Sequence, residues 1–191
     1  MKNNPTGRRG NPGRKALTRA TFQAALRRAD ELGIRHLVVA STTGAAALEL
    51  ARILPHHFDV VCVTHHAGFR ESGKSELSED VEDRLAEQGI PVLRTTHLMG
   101  GLERAVRLEF GGLGPAEIVA NAYRTLGQGI KVAVEISVMA LDAGLVPYGK
   151  DIIAVAGTGS GADAAIVIRP AHSRRFFDTR VREIIAKPRE W

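Results

Sequence analysis

Short apolar runs alternate with amphipathic segments along most of the chain. Four of the runs have the length of a strand: His36–Ala40, Phe58–Val63, Pro91–Leu93 and Asp151–Ala156. Over Thr18–Leu32 the apolar residues recur at three- and four-residue steps, which predicts an amphipathic helix. Strands that alternate with helices favour a parallel sheet packed under helices.

A fifth apolar run, Ala164–Ile168, follows the fourth one after a glycine-rich turn. The gap is too short for a crossover, because parallel neighbours need a connection of about a dozen residues or more. This strand is therefore predicted to be antiparallel to its predecessor. We expect a three-layer α/β fold with a mostly parallel five-stranded sheet whose last strand is antiparallel. The helices are predicted over 18–32, 44–54, 78–88, 98–108, 115–126 and 131–143.

Small or hydrogen-bonding residues follow each of the four parallel strands. In an open α/β sheet, ligands bind outside the carboxyl ends of the strands, so these residues are the candidates for a binding site. They are Ser41, Thr42, Thr43 and Gly44 after the first strand, Thr64, His65, His66 and Phe69 after the second, His97 after the third, and Gly157, Thr158, Gly159, Ser160 and Gly161 after the fourth.

Two of these segments are typical of oxyanion sites, and each has a purely structural alternative. Ser41–Gly44 stands where a strand turns into a helix, so free amides and hydroxyls there fit an anion such as phosphate. Serine and threonine are also the usual N-cap residues, and capping is favoured for this turn taken alone. The amides of Gly157–Gly161 suit an oxyanion nest or simply a flexible hairpin connection. A strand follows them, which excludes the dinucleotide-binding fingerprint, because that motif opens a helix.

The histidines are candidates for hydrogen bonding to a ligand or for acid–base catalysis. His65 and His66 are adjacent on an extended segment and so point to opposite sides. No nearby cysteine or carboxylate completes a set with zinc-ligand spacing, so we predict no metal site. An imidazole that acts on a ligand, from either residue or from His97, is favoured. We assign no catalytic residue, and Glu135 and Asp142 are interpreted as part of a solvated helix face.

The composition fits a single domain with an aliphatic core in a reducing compartment. Of the 191 residues, 44% are hydrophobic but only 5% are aromatic. The one cysteine, Cys62, lies inside a predicted strand, so an internal disulfide framework is excluded. No apolar run approaches the ~20 residues that span a bilayer, and the first residues lack a secretory signal. We therefore expect a cytoplasmic protein with no membrane partner.

The net charge of +5 comes from the N-terminal end of the chain. Met1–Lys15 carries five basic residues and no acidic one, so the rest of the chain is neutral overall. We predict a flexible basic arm over residues 1–16 and a single α/β domain over 17–191. Such an arm can bind nucleic acid, but a solubilising terminus is the commoner role, so we do not favour a nucleic-acid partner.

Several segments, in this order, resemble the C-terminal α/β domain of pyruvate kinase. Ser41–Gly44 resembles its first strand-to-helix turn, Met139–Leu145 its last long helix, Asp151–Gly157 its fourth strand and Gly159–Asp163 its glycine-rich turn. The family's sheet has five strands with the last antiparallel, as the hairpin argument requires. In pyruvate kinases this domain is regulatory, and the resemblance implies that phosphate is held at Ser41–Gly44 and Gly159–Gly161. Phosphotransfer is not expected, because nothing in the chain matches the catalytic barrel.

A closer resemblance is to a small group of stand-alone proteins built on this domain. Thr64–Phe69, Gly127–Val132 and Ala156–Asp163 are similar to segments that recur in the group, and the likeness spans roughly Leu17–Arg189. Members of the group resemble binders of flavin mononucleotide (FMN), so the likeness implies FMN as the cofactor. Its phosphate would lie at the turns and its flat part near the three histidines, where Phe69 either stacks on the ring or only fills space.

Three functions are open at this point. In the first, a phosphorylated small molecule, with FMN the best candidate, binds at the strand ends. In the second, the protein is a flavin-dependent enzyme that uses His65, His66 or His97 as acid or base. In the third, it is a regulatory or assembly module for a sugar phosphate effector. Family members associate through this domain, which implies a homo-oligomer.

Overall fold

The structure, a computed structural model, describes residues 12–190 of the chain. Its α-helices are α1 Pro12–Leu32, α2 Ala45–Ala51, α3 Glu79–Glu87, α4 Leu102–Phe110, α5 Pro115–Arg124 and α6 Gln128–Asp142. Its strands are β1 His36–Ala40, β2 Asp59–Thr64, β3 Val92–Arg94, β4 Ile152–Ala156, β5 Ala164–Arg169 and β6 Arg180–Ala186. A short 3₁₀ helix, Ser173–Asp178, precedes the last strand.

The strands of the described residues form one six-stranded sheet in the order β3–β2–β1–β4–β5–β6. Strand β1 is parallel to both of its neighbours, β2 and β4, and β3 is parallel to β2. Strand β5 is antiparallel to β4, with Ala164 opposite Ala156, so the predicted hairpin is confirmed. The fold class is confirmed as α/β with a mixed, mostly parallel sheet.

Strand β6 is additional to the five predicted strands. It forms an edge of the sheet and pairs antiparallel with β5. All of its residues are exposed or half-buried, and its sequence RVREIIA starts with alternating charged side chains. An edge strand has one neighbour and is not buried on both faces, so it lacks the continuous apolar run of the central strands. That run was the signal from which the other strands were predicted.

Helices α1, α2 and α3 cover one face of the sheet. Phe22 of α1, Leu50 of α2 and Leu85 of α3 are fully buried in one cluster with Val39 and Cys62 of the sheet. The expectation that Cys62 is a core residue is therefore confirmed. Small aliphatic strand residues under these helices make the aromatic-poor core that the composition predicts.

Helix α6 covers the other face and crosses the middle of the sheet. Ile130 and Val134 pack in a second cluster with Val38, Ala154 and Ile166. Of the fifteen residues of α6, twelve are buried, so its position on the sheet is tightly fixed. Because α6 leads back to β4, its first turn lies at the carboxyl ends of the parallel strands. There, a side chain on Gly129 would come within 3.4 Å of the carbonyl oxygen of Ala156.

Helix α1 begins at Pro12 instead of the predicted Thr18. It ends at Gly33 as expected: Gly33 has φ +65°, and the amide of Ile34 donates to the Ala29 carbonyl at 2.9 Å. The predicted flexible arm over 1–16 lies mostly outside the described residues. No helix among residues 12–190 is both long enough and apolar enough to cross a membrane.

Candidate functional site

The four predicted segments meet at one edge of the sheet, at the carboxyl ends of β1–β4. Val39 of β1 pairs with Val155 of β4, so the turns that follow these two strands are neighbours. Thr64, at the end of β2, pairs with Arg94, at the end of β3. We call this edge with its loops the rim. From the strand order, the hydroxyl-rich turn lies between the glycine-rich turn and the histidine loops.

The hydroxyl of Ser41 is used inside the fold. It accepts hydrogen bonds from the amides of Ala46 at 3.0 Å and Ala47 at 3.3 Å, and Ser41 is only 5% exposed. Ser41 therefore satisfies amides of the first turn of α2, as a cap does, although the N-cap residue itself is Gly44. Gly44 has φ +79°, and a side chain there would collide with Val81, so the turn requires glycine. The exposed hydroxyl at this turn is that of Thr43.

His65 links the hydroxyl-rich turn to a carboxylate that the sequence analysis did not select. Its Nδ1 lies 2.6 Å from Glu76 Oε2, and its Nε2 lies 3.5 Å from the hydroxyl of Thr42. Arg70 Nε in turn lies 2.8 Å from the other Glu76 oxygen. A carboxylate at Nδ1 favours the tautomer that carries its proton there, which leaves Nε2 as the acceptor that faces the rim. Thr64 donates to the Thr42 carbonyl at 2.7 Å and so holds the turn against β2.

The three histidines and Phe69 form one compact group, which we call the histidine cluster (His65, His66, Phe69 and His97). The ring centroids of His65 and Phe69 are 3.9 Å apart, and His97 lies 5.1 Å from His65 and 5.6 Å from His66. The guanidinium of Arg104 lies over the Phe69 ring at 5.4 Å from its centroid. Phe69 is thus in contact with several protein groups, as the space-filling alternative requires. His65 and His66 both lie close to His97, although they follow β2 and His97 follows β3.

His97 is electrically neutral at neutral pH. Burial lowers its pKa from 6.5 to about 4; the carboxylate of Glu135 opposes the shift, and positive charge on His65 and Lys131 adds to it. A neutral imidazole offers one donor and one acceptor but carries no charge to an anionic ligand. His97 is therefore suited to hydrogen bonding at the rim and not to proton donation as an imidazolium.

A buried ion pair lies beneath His97. Lys131 and Glu135, on successive turns of α6, pair through Nζ and Oε2 and are 6% and 4% exposed. The second oxygen of Glu135 accepts the amide of Met99 at 2.7 Å and so ties the loop after β3 to α6. Burial lowers the pKa of Lys131, and Glu135 counteracts this effect. The interpretation of Glu135 as part of a solvated face is wrong, whereas Asp142 is exposed.

The glycine-rich turn is held by helix α1. Arg14 Nη1 donates to the carbonyls of Thr158 at 2.7 Å and Ser160 at 3.0 Å, and Thr18 accepts the amide of Ala162 at 3.0 Å. Asp163 accepts the amide of Thr158 at 2.9 Å, and the Thr158 carbonyl accepts that of Ser160 at 3.0 Å, so two of the amides expected for an oxyanion are already bonded. The buried hydroxyl of Thr158 has no hydrogen-bond partner among the described residues. Hence an unsatisfied hydroxyl and a guanidinium lie together at this turn.

Several rim residues were not found from the sequence. Glu76 and Arg70 lie in a long polar loop whose path no periodicity predicts, and Arg14 falls in the segment interpreted as an arm. Asp163 lies two residues after the glycine-rich turn, and an acidic residue so close to the turn indicates a possible acceptor for its amides. Among residues 12–190 no group of three or more histidine, cysteine or acidic side chains is arranged to hold a metal ion.

Most of the chain matches one known protein family. The family described as pyruvate kinase, alpha/beta domain, matches residues 19–168. The chain belongs to this family. The match of the pyruvate kinase alpha/beta domain starts inside α1 and ends in β5, so it contains the whole rim except Arg14 and Thr18. Strand β6 lies beyond it.

A solved pyruvate kinase from Cryptosporidium parvum is similar to this alpha/beta domain. The sequences are 15% identical, the TM-score is 0.44, and the similarity covers 81% of this chain. It covers 23% of that kinase, so this chain spans less than a quarter of the kinase's length.

Proposed function

We propose that the protein binds a phosphorylated small molecule at the rim, with FMN as the best candidate. The observation that carries the proposal is the adjacency of the two turns. Because β1 and β4 are parallel neighbours, the hydroxyls after β1 and the glycine-rich turn after β4 can contact the same ligand. The histidine cluster, on the far side of the hydroxyl-rich turn, offers polar ring edges to the rest of the molecule. The resemblance to stand-alone FMN binders gives the specific ligand.

The phosphate group fits best on the Arg14 side of the glycine-rich turn. Arg14 bonds only to neutral oxygen atoms, and within residues 12–190 no carboxylate pairs with it. The unpartnered hydroxyl of Thr158 and the exposed hydroxyl of Thr43 are further donors. Asp163 accepts the Thr158 amide and lines the same cleft as Arg14 and Ser160, so its negative charge opposes an anion there. Hydrogen bonds from a guanidinium to phosphate are the strong, charge-assisted kind.

The flat part of the ligand fits the histidine cluster. Neutral His97 and the outward Nε2 of His65 can donate to or accept from the polar edge of a ring. When bound, FMN would supply redox chemistry that none of the protein's own side chains provides. These residues would bind and orient the ring and hold protons at its edge.

Melting curves of the full chain with three compounds test this proposal. FMN should raise the melting temperature, while riboflavin, which lacks only the phosphate, should bind ten- to a hundredfold more weakly. That ratio corresponds to charge-assisted hydrogen bonds of about 1.5–3 kcal/mol. At a hundred times its dissociation constant, a ligand stabilises the folded state by about 2.7 kcal/mol. Equal effects of FMN and riboflavin on the melting temperature would show that the protein does not recognise the phosphate group. No effect of either FMN or inorganic phosphate would contradict the proposed binding site.

A second candidate function is acid–base catalysis by His65. The short contact between His65 and Glu76 favours it, because a carboxylate that orients one ring nitrogen leaves the other as a positioned base. His97 is less suited to this role, since burial lowers its pKa to about 4. His66 bonds to a backbone carbonyl of its own loop, that of Ala67, at 2.7 Å.

Alanine variants of His65, His66 and His97 separate this function from binding alone. Reduction of the FMN-loaded protein by candidate electron donors would be followed in each variant. Loss of turnover in His65→Ala with retained FMN affinity supports catalysis. Unchanged turnover in all three variants contradicts it.

A further inference from the structure

The edge of the sheet opposite the rim carries a surface that the proposed ligand does not touch. Ile152, at the start of β4, pairs with Ile168, near the end of β5, so the loop before β4 meets the 3₁₀ helix after β5. In that loop Tyr148 stacks on His172, with ring centroids 5.5 Å apart and planes 10° from parallel. The Nδ1 of His172 lies 2.9 Å from Asp142, at the end of α6, which holds the stacked ring in place. Two segments of the chain thus form one surface.

Two aromatic rings of this surface are open to solvent. Tyr148 is 72% exposed, and Phe177, in the 3₁₀ helix, is 80% exposed. The neighbouring Phe176 is half-buried and packs on the α6 side of the core, with its ring 6.3 Å from that of Tyr123. The two adjacent phenylalanines therefore serve different purposes, one inside the fold and one outside it. Tyr148 and Phe177 each present a flat ring on which a planar group can stack.

Arginine side chains without a carboxylate partner flank these rings. Arg174 is exposed and has no hydrogen-bond or ion-pair partner among residues 12–190. Arg180 Nη1 donates to two backbone carbonyls, that of Phe177 at 2.7 Å and that of its own neighbour at 3.0 Å, and so keeps its charge. Arg175, between them, is paired with Asp178 at 2.7 Å. The surface therefore combines exposed rings with unneutralised guanidinium groups, and we call it the aromatic–basic patch (Tyr148, His172, Arg174, Phe177 and Arg180).

Positive charge is concentrated in the stretch that carries this patch. Residues 169–190 contain seven basic and three acidic residues, a net charge of +4, although the chain after Lys15 is neutral overall. The family match ends at residue 168, so the 3₁₀ helix and β6 lie beyond it. Most of the patch is therefore an addition to the matched domain and is not explained by the family's sheet.

We propose that the aromatic–basic patch binds single-stranded nucleic acid. Single-strand binders combine aromatic rings, on which successive bases stack, with basic side chains that follow the backbone, and guanidinium groups bond strongly to phosphate. The bases of a duplex are already stacked on each other and would leave Tyr148 and Phe177 unused. An acidic protein segment would neutralise the arginines but brings no planar groups to the rings. The patch depends neither on the rim and its ligand nor on the basic residues of 1–16.

Fluorescence anisotropy of the full chain with a labelled single strand of about ten nucleotides tests the stacking, since one small domain covers about 4–16 nucleotides. The wild-type protein should bind with a micromolar dissociation constant. Phe177→Ala should weaken binding about five- to a hundredfold, as the loss of one stacked base does. Phe110→Ala is the matched control, because Phe110 is 81% exposed but lies on α4, and it should bind as the wild-type protein does. Circular dichroism would verify that both variants fold.

The salt dependence of binding tests the phosphate contacts. Arg174→Gln should reduce the slope of log affinity against log salt concentration by about 0.7, which is the value for one phosphate contact on a single strand. Arg27→Gln is the control: Arg27 is an exposed arginine without a carboxylate partner among residues 12–190, but it lies on α1, on the other face of the sheet. The basic N-terminal residues contribute equally to both variants, so the difference between their slopes reports the patch alone.

Several outcomes would overturn the proposal. Equal affinities of Phe177→Ala and Phe110→Ala, or equal slopes of Arg174→Gln and Arg27→Gln, would assign any binding to another part of the chain. Tighter binding of a duplex of the same sequence would exclude stacking on the exposed rings. Binding of an acidic peptide that Phe177→Ala weakens, without binding of the single strand, would make the patch a protein-binding surface instead.

Discussion

At the scale of single residues, the rim divides its polar groups between holding the fold and facing a ligand. Ser41 and Asp163 satisfy backbone amides of their own turns. Thr158 retains a hydroxyl without a partner among the described residues, and Arg14 retains a positive charge that none of their carboxylates neutralises. The Nε2 of His65 has only a long contact, 3.5 Å, with the Thr42 hydroxyl. Residue type alone does not separate the two groups, because a hydroxyl that caps a helix and one that binds phosphate look the same in a sequence.

Loss of the Ser41 cap should destabilise the fold. We expect Ser41→Ala to lower the free energy of unfolding by about 0.5–2 kcal/mol, since two amides of α2 lose their acceptor. Thr43→Ala, at the exposed position of the same turn, should change stability by less than about 0.5 kcal/mol. Urea unfolding of both variants measures this difference. Equal stabilities would show that Ser41 is free for another role.

His97 should make the fold sensitive to acid. Its pKa is lowered from 6.5 in the unfolded chain to about 4, so the unfolded state binds the proton first as the pH falls. Stability is therefore full above pH 6.5 and decreases as the pH falls toward about 4. Urea unfolding across this range should show a shallower loss in His97→Gln than in the wild-type protein. If the stabilities of the two proteins fell equally with pH, the lowered pKa of His97 would be contradicted.

The buried pair of α6 should behave as a coupled unit. Lys131→Met or Glu135→Leu alone leaves one uncompensated buried charge and should cost about 3–5 kcal/mol. The double variant removes both charges and should cost less than the sum of the two single changes. Unfolding in denaturant gives the coupling energy of this cycle. Strict additivity would mean that the two side chains do not interact.

At the scale of elements, the sequence predicts the strands that form continuous apolar runs and misses the elements that lack such a run. The central strands are buried on both faces, so their apolar runs locate them within a residue or two, and spacing alone gives the antiparallel hairpin. Strand β6 and the start of α1 have no such run. Glu135 looks like any charged helix residue, because its burial depends on the loop that brings Met99 over α6. Glu76 is likewise brought to His65 by the path of a loop.

Helix α1 should control the mobility of the glycine-rich turn. Arg14→Gln removes the charge that bridges Thr158 and Ser160, so the amides of this turn should exchange their hydrogens faster. FMN affinity should fall as well, because the same guanidinium is proposed to face the phosphate. Lys15→Gln, an exposed neighbour on the same helix, should change neither property. Wild-type hydrogen exchange in Arg14→Gln would contradict its role in holding the turn, and wild-type FMN affinity would contradict its contact with the phosphate.

At the scale of the whole molecule, the candidate binding residues gather at one edge of a single sheet. The carboxyl ends of β1–β4 collect the rim, and this convergence was predictable, since parallel neighbours end on the same side. The exposure of Leu102, Val106 and Phe110 on α4 was not predictable, because an amphipathic pattern does not say which face of a helix turns inward. Family membership accounts for the sheet, while the proposed ligand depends on the side chains at its edge.

Hydrogen exchange of the full chain with and without FMN tests the central claim most directly. Ligand binding at the rim predicts slower exchange in 41–44, 64–69, 95–98 and 157–162 together, with no change in the loop between α2 and β2 at the opposite edge of the sheet. Riboflavin should protect the histidine segments but leave 157–162 close to the free protein. Protection confined to one segment, or located at the opposite edge, would contradict a single ligand held across adjacent strand ends.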